Sequence, residues 1–273
     1  MSLCKKKRVS RKIGTEIKIH IDEKQHLLYL RIGSNQNSCY SYETVCEFYN
    51  SLQLLQEWIQ EEKIRYIILK SRYKLNNDAG SDVKFLLKCI NDNDKMLLMD
   101  YAYKCAKIAY HLSISFNTNA IVISVLNGNA FGGTFEYALA TQYVIAEEHI
   151  KFGFPESDIG IVPVLGAYNF LTPKVGFAKA KEIINSNKKW NASQMMDLNI
   201  ITHVSKKGKG METTLELIKE GEITAKDCLQ KAFCNPSSED LLKSIDLWMN
   251  DLLTTNPTRF ESRDTMLENE VTV

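Results

Sequence analysis

No stretch of the sequence stays apolar for anything near the ~18 residues that a membrane-spanning helix requires, so no segment is expected to cross a bilayer. Charge of one sign is not in excess either. Lys and Arg number 34 and Asp and Glu 33, a net +1 that points to neither nucleic acid nor a membrane surface as partner. The seven cysteines (Cys4, Cys39, Cys46, Cys89, Cys105, Cys228, Cys234) are scattered and odd in number, with no CxxC pair and no Cys/His cluster. That excludes a disulfide framework or zinc site as the organising feature, and no metal or redox cofactor is expected. His203 follows a short apolar run and reads as structural rather than as a ligand. Internal repeats, low-complexity blocks and long linkers are missing. The N-terminus has the basic start of a secretion signal, but Arg11, Lys12, Glu16 and Lys18 interrupt the apolar core such a signal needs. A cytoplasmic location is therefore expected. The Lys5-Lys6-Lys7-Arg8 cluster reads as a solvated tail rather than a binding patch.

What is present is enough apolar material for a buried core. The chain is 44% hydrophobic and 25% charged, a soluble globular balance, and its 273 residues suit one large domain or a domain with a small appendage. Residues 16–21 alternate polar and apolar like a half-buried strand, and residues 26–32 read as its partner across a turn at 22–25. A helix over 42–62, a strand at 64–69 and helices near 82–91 and 94–115 follow. Ala120 to Leu126 is β-branched and almost wholly apolar, the pattern of a strand covered on both faces. Tyr143 to Ala146 is another short strand. Beyond about 176 the chain reads as mainly helical, with a strand near 200–205 and a helix start at Pro236-Ser237-Ser238-Glu239. Strands alternating with helices predict an α/β fold. We divide it into a flexible tail (1–13), an α/β core (14–205) and a helical C-terminal region (206–273) serving as lid or oligomerisation element.

Two glutamates stand out, each following residues that specialise the backbone. Glu136 ends Asn127-Gly128-Asn129-Ala130-Phe131-Gly132-Gly133-Thr134-Phe135-Glu136, and Glu156 ends Lys151-Phe152-Gly153-Phe154-Pro155-Glu156. A carboxylate in such an apolar setting is partly desolvated, which moves its pKa towards the range useful for proton transfer. Gly132-Gly133 lies between a buried strand and a helix. Glycines there let backbone N–H groups of a helix N-terminus approach a ligand oxygen. Tight helix–strand packing explains the pair equally well when it is judged alone. Ala79-Gly80-Ser81-Asp82 also leaves a strand and enters a helix, and offers the Ser81 N–H as a second donor. Ser81 or Asp82 acting simply as a helix cap accounts for that segment as well.

The three segments in this order resemble the crotonase, or enoyl-CoA hydratase/isomerase, superfamily, whose members carry an AGxD-type loop, then NGxAxGGxxE, then FGxPE. The resemblance covers roughly residues 15–220. It implies a crotonase-like spiral of ββα units with a helical C-terminal region, and homotrimers or dimers of trimers. It also implies that the N–H groups of Ser81 and Gly133 form an oxyanion hole and that Glu136 and Glu156 are the catalytic pair. Within the superfamily the chain is most similar to synthases of diffusible signal factors, the cis-2-unsaturated fatty acids of bacterial signalling. The segments behind that are Gly128-Asn129-Ala130, Phe135-Glu136, Ile145-Ala146-Glu147-Glu148 and Gly166-Ala167-Tyr168-Asn169-Phe170, with Asp100 to Cys105 and a C-terminal helix holding Trp248 and Met249.

The resemblance implies dehydration of a 3-hydroxyacyl thioester followed by thioester hydrolysis. The substrate would arrive on acyl carrier protein or CoA, with no bound cofactor. Phe131, Phe135, Phe152, Phe154, Val164 and Leu165 are candidates to line an acyl tunnel, or are ordinary core residues. Departures are Thr134, where many relatives have a third glycine, and the polar Asn76-Asn77-Asp78 ahead of the first loop. Three rival readings stay open: a plain enoyl-CoA hydratase, a carrier-protein dehydratase, and a non-catalytic fold that binds a partner such as a sensor protein. Retention of both glutamates argues against the last.

Overall fold

The computed structural model describes residues 9–33, 39–71, 77–78, 80–155, 157, 162–163, 165–225 and 234–254. In chain order the strands are β1 (Val9–Ile13), β2 (Ile17–Asp22), β3 (Leu27–Ile32), β4 (Tyr66–Ser71), β5 (Asn77–Asp78), β6 (Ile121–Leu126), β7 (Asn129–Phe131), β8 (Tyr143–Glu147), β9 (Lys151–Gly153), β10 (Trp190–Asn191) and β11 (His203–Ser205). The helices are α1 (Tyr42–Glu61), α2 (Val83–Asn91), α3 (Lys95–Ser113), α4 (Gly133–Ala140), α5 (Ala167–Val175), α6 (Phe177–Asn185), α7 (Ala192–Asp197), α8 (Gly210–Glu220) and α9 (Ser238–Thr254). Seven strands form one sheet in the order β1-β2-β3-β4-β6-β8-β11, and four short ones a second in the order β10-β9-β7-β5. The first three strands of the large sheet pair antiparallel and the rest parallel.

The expected α/β core is present. Ile17, Ile19 and Ile21 are buried while Lys18 between them is exposed, so alternation along β2 does place one face inward. All six residues of β6 are buried. The reason is that the large sheet is covered on both sides. The larger apolar cluster, with α1, α3, α4 and α9, includes Val122 and Val144. Ile121, Ile123, Val125, Tyr143 and Ile145 instead pack with Leu217 of α8 and Ile223. Leu241, Ile245, Trp248 and Met249 recur at helical spacing and bury one face of α9. That helix is tied to α3 by a bond from Lys107 Nζ to Ser238 Oγ of 2.8 Å. Among the described residues no helix is long and apolar enough to cross a membrane.

Two parts depart from the reading of the sequence. Residues 9–13, expected within a tail, form β1, paired antiparallel with β2 from Val9↔Ile21 to Ile13↔Ile17. The carboxylate of Glu47 on α1 holds the turn between them. It accepts the N–H groups of Thr15 (3.0 Å), Glu16 (2.9 Å) and Ile17 (2.6 Å). Gly14 has φ +65°, and a Cβ there would lie 2.3 Å from Glu47 Oε2. Hydrogen bonds to a charged group are each worth roughly 1.5–3 kcal/mol. Glu47→Ala is therefore expected to lower unfolding stability by about 2–4 kcal/mol, read as a shift in the urea midpoint; an unchanged midpoint would show that the turn holds without its anchor.

The small sheet is the other departure, since the sequence reading contains none of its four strands. Its register positions the site. β5 and β7 run parallel with Asp78 abreast of Ala130, and β7 and β9 run parallel with Phe131 abreast of Gly153. Three residues beyond Asp78 and Ala130 the two chains reach Ser81 and Gly133.

Candidate active site

Gly80, Ser81 and Gly133 meet where those chains leave the small sheet. Gly80 has φ +69°, and a Cβ built on it would lie 2.5 Å from Gly133 N and 2.6 Å from Phe131 O. Only glycine fits so close to another backbone. A Cβ on Gly133 would lie 3.1 Å from Ser81 Oγ, 3.3 Å from Ser81 N and 3.4 Å from Leu165 Cδ1. The Ser81 backbone therefore lies close against the first residue of α4, with Leu165 beside both.

The orientation of Ser81 follows from its pairing. Ser81 forms a parallel bridge with Tyr40, and the Tyr40 N–H donates to Gly80 O at 2.7 Å. The carbonyl and the N–H of one trans peptide point to opposite sides. With the carbonyl of Gly80 turned towards Tyr40, the N–H of Ser81 is turned away from it, on the Gly133 side. Asp82 then caps α2, its side chain accepting the Phe85 N–H at 3.1 Å. Of the two readings of this loop, the helix cap is thus made, by Asp82. At α4 the entry is made by Gly132 with φ 48° and ψ −127°, a conformation glycine tolerates, and the helix starts with Glu136 N–H donating to Gly132 O at 3.0 Å.

Glu136 stands one turn into α4 and is 1% exposed. The N–H of Ala167, first residue of α5, donates to its Oε1 at 3.0 Å. A carboxylate belongs at such a helix N-terminus, where unpaired N–H groups and the helix dipole converge. Gly166 makes this possible. It has φ +120°, and a Cβ there would lie 2.4 Å from the Phe170 ring. The bond fixes one carboxylate oxygen of Glu136.

Glu156 and Val164 lie outside the described residues. Of the candidate acyl-lining residues, Phe131 is half-buried and its ring lies 3.8 Å from the Cβ position of Gly153. Phe135, Phe154 and Leu165 are all buried in the apolar core. Phe135 is 0% exposed, so it faces no void wide enough for a water molecule. Its ring packs on Phe152 at 5.1 Å and Phe154 at 5.2 Å between centroids. These rings support α4 and the small sheet from behind. Lys189 comes close to Phe131: β10 runs antiparallel to β9 with Trp190 abreast of Phe152. Lys189 then falls opposite Gly153, with its Nζ 5.9 Å from the Phe131 ring centroid. Lys188 Nζ sits 3.9 Å from the Trp190 ring centroid.

Another buried carboxylate, Glu147, is engaged elsewhere. It accepts the N–H groups of Gly208 (2.8 Å) and Gly210 (3.3 Å) and so anchors the start of α8. A cavity of about 770 Å³ opens between Tyr66, Ile121, Asn119 and Ile223, at the N-terminal ends of β4 and β6 and away from Gly133. Among the described residues no three His, Cys, Asp or Glu side chains gather as metal ligands. The sequence reading missed Tyr40, Tyr101 and the Ala167 N–H. The burial of Tyr101 was readable from its place on the apolar face of α3; the destination of its hydroxyl was not.

A family model described as enoyl-CoA hydratase/isomerase matches residues 25–262. Carnitinyl-CoA dehydratase of Salmonella typhi is 31% identical over 105 residues, 38% of this chain and 40% of that protein. Enoyl-CoA isomerase/hydratase fer4 of Mycosarcoma maydis is 35% identical over 99 residues, 36% of each. The chain thus matches two fifths or less of the length of these relatives. Over nearly the whole chain the fold is shared with human mitochondrial delta3-delta2-enoyl-CoA isomerase, at a TM-score of 0.77 and 16% identity, covering 94% of this chain and 99% of that one. Pseudomonas aeruginosa DspI has a TM-score of 0.69 and 21% identity, covering 96% and 98%. At such identities the likeness is one of fold alone.

Proposed function

Because the chain belongs to the enoyl-CoA hydratase/isomerase family, we propose that it dehydrates a 3-hydroxyacyl thioester and then hydrolyses the unsaturated product to a free cis-2-unsaturated fatty acid. The observation that carries the reading is the close approach of Ser81 to Gly133 at the start of α4, with Glu136 buried and its carboxylate oriented on the same short helix.

The thioester carbonyl oxygen accepts from the N–H groups of Ser81 and Gly133. These donors are fixed before substrate arrives, so charge that develops on the oxygen is stabilised without reorganisation. The proton on Cα becomes acidic. One carboxylate of the Glu136/Glu156 pair takes that proton, and the C–H electron pair becomes the Cα=Cβ bond. The C3–O bond breaks and the other carboxyl supplies the proton with which the hydroxyl departs as water. In the second step a water, deprotonated by a carboxylate, adds to the same carbonyl. The tetrahedral adduct collapses, the C–S bond breaks, and the thiol leaves with the proton. One pair of donors serves both steps. Glu156 enters this scheme from the sequence resemblance.

Leu165 and Phe131 lie beside the two donors and suit the first carbons of an acyl chain. The exposed Lys188 and Lys189, beside Trp190 and Phe131, suit an anionic carrier, such as the phosphate of a carrier-protein arm. Assembly as a homotrimer or dimer of trimers belongs to the same proposal, as does the acyl carrier protein as partner.

Enoyl-CoA hydratase activity on a CoA thioester is the second reading, favoured by the names of the relatives above. Product analysis separates the two. Incubation with a medium-chain 3-hydroxyacyl carrier-protein thioester is expected to yield free 2-unsaturated acid by mass spectrometry, and none with Glu136→Ala/Glu156→Ala. Unsaturated thioester without free acid would favour the hydratase. No turnover of carrier-protein or CoA thioesters would remove both.

A further inference from the structure

The Ser81 loop is held in place from behind by two buried tyrosines, Tyr40 and Tyr101. Tyr101 on α3 is 2% exposed, and its hydroxyl donates to the carbonyl of Tyr40 at 2.7 Å. The same hydroxyl oxygen accepts from the Asp82 N–H at 3.4 Å. Tyr40 in turn donates its own N–H to Gly80 O at 2.7 Å. One phenol therefore grips both the strand segment at Tyr40 and the residue after Ser81, while Tyr40 grips the residue before it. Three consecutive residues of the loop are accounted for: Gly80 through its carbonyl, Asp82 through its N–H and its cap on Phe85, and Ser81 through its side chain, which bonds the same phenol, while its N–H is turned to the other side.

The surroundings make the clamp stiff. The Tyr101 ring packs against Phe85 of α2 at 5.2 Å between centroids, and the Tyr40 ring against Tyr137 of α4 at 5.1 Å. Tyr137 is the neighbour of Glu136. The clamp thus spans the loop that carries one donor and the helix that carries the other donor and the carboxylate. A buried phenol with these hydrogen bonds has no low-cost alternative arrangement, because water cannot reach the groups it would release.

We infer that Tyr101 is a positioning residue for the reaction: its hydroxyl sets the direction of the Ser81 N–H and so the strength with which the thioester carbonyl is polarised. This rests on the proposed donor role of Ser81 and Gly133. A misplaced donor weakens binding of the charged transition state more than binding of the neutral substrate. Removing the hydroxyl should therefore lower kcat and leave KM nearly unchanged.

Tyr101→Phe keeps the ring and deletes the bonds to Tyr40, Asp82 and the Ser81 side chain. Tyr137→Phe is the companion variant: it deletes a buried hydroxyl of the same cluster whose neighbour is the Cys105 thiol and not the loop at Ser81. The expected result is a 10- to 100-fold fall in kcat for Tyr101→Phe, KM within threefold of wild type, and wild-type kinetics for Tyr137→Phe. The second readout is optical. An aryl-conjugated enoyl thioester bound to the wild-type protein should absorb at longer wavelength than in water, because two N–H donors polarise its carbonyl. Tyr101→Phe should lose most of that shift while still binding the probe. A full shift in Tyr101→Phe would overturn the positioning role. So would equal losses of kcat in the two variants, which would mark a general packing effect. A wild-type protein that binds the probe without any shift would overturn the donor role of Ser81 and Gly133 itself, a failure distinct from that of the clamp. Thermal melting of both variants, expected within a few degrees of wild type, shows that folded protein is compared.

Discussion

Glu136→Gln should lower kcat by about 10²–10⁴-fold, the range that removal of a positioned acid or base commonly costs, while the melting temperature hardly moves. The amide keeps an oxygen where Oε1 now accepts the Ala167 N–H at 3.0 Å, so the link between α4 and α5 survives. What disappears is the ability to take or give a proton. Glu136→Ala is a different change: it leaves a cavity and the buried N–H of Ala167 without this acceptor. It should cost stability as well, on the order of 2–4 kcal/mol. Steady-state kinetics on the thioester beside thermal melts of both variants separate the chemical role from the structural one. Glu136→Gln activity within tenfold of wild type would remove Glu136 from the chemistry.

Gly133→Ala should be nearly as damaging to turnover with little effect on folding. Its methyl would stand 3.3 Å from Ser81 N, in the space where an oxygen accepting from both N–H groups belongs. Loss of one donor of this kind costs about 10²–10³ in kcat. The position lies at the start of a helix, where alanine is the better helix former by up to about 1 kcal/mol. That gain roughly offsets the tight contacts, so stability should change by less than about 1 kcal/mol. Gly80→Ala makes the contrast. At φ +69° its Cβ would meet backbone atoms at 2.5 and 2.6 Å, which cannot swing aside as a side chain can. It should lose both turnover and stability. Full activity in Gly133→Ala would mean that the carbonyl is held elsewhere.

Much of the frame was readable because its signals are long. The alternation of Ile17, Ile19 and Ile21 and the unbroken apolar run of β6 report burial on one face and on two. The 17-residue α9 shows its apolar face by helical spacing. β1 was missed because Val9-Ser10-Arg11-Lys12-Ile13 puts two cations mid-strand, which reads as solvent-exposed chain. The strands of the small sheet are two or three residues long, too short to carry any period. Yet their register is what sets Ser81 abreast of Gly133. Glu136 was legible through the glycines before it. Its partner was not, since a backbone N–H 31 residues away leaves no mark on the side-chain pattern. Phe135 and Phe154 show the same limit from another side. An aromatic next to a candidate site reads alike whether it lines a tunnel or closes a core, and both rings are buried.

The parallel half of the large sheet has a consequence for how the chain reaches this structure. β2 and β3 meet across a short turn, but Leu27 must find Tyr66, Tyr66 must find Ile121, and Ile145 must find His203. Each of those pairings closes a long loop before any contact rewards it. Until β11 is in place, the edge of β8 stands open with a row of unpaired backbone groups on buried apolar residues, the kind of edge that recruits a second copy. Recovery from denaturant is then a race between loop closure within one chain and collision between two, and dilution tips it more than added stability would.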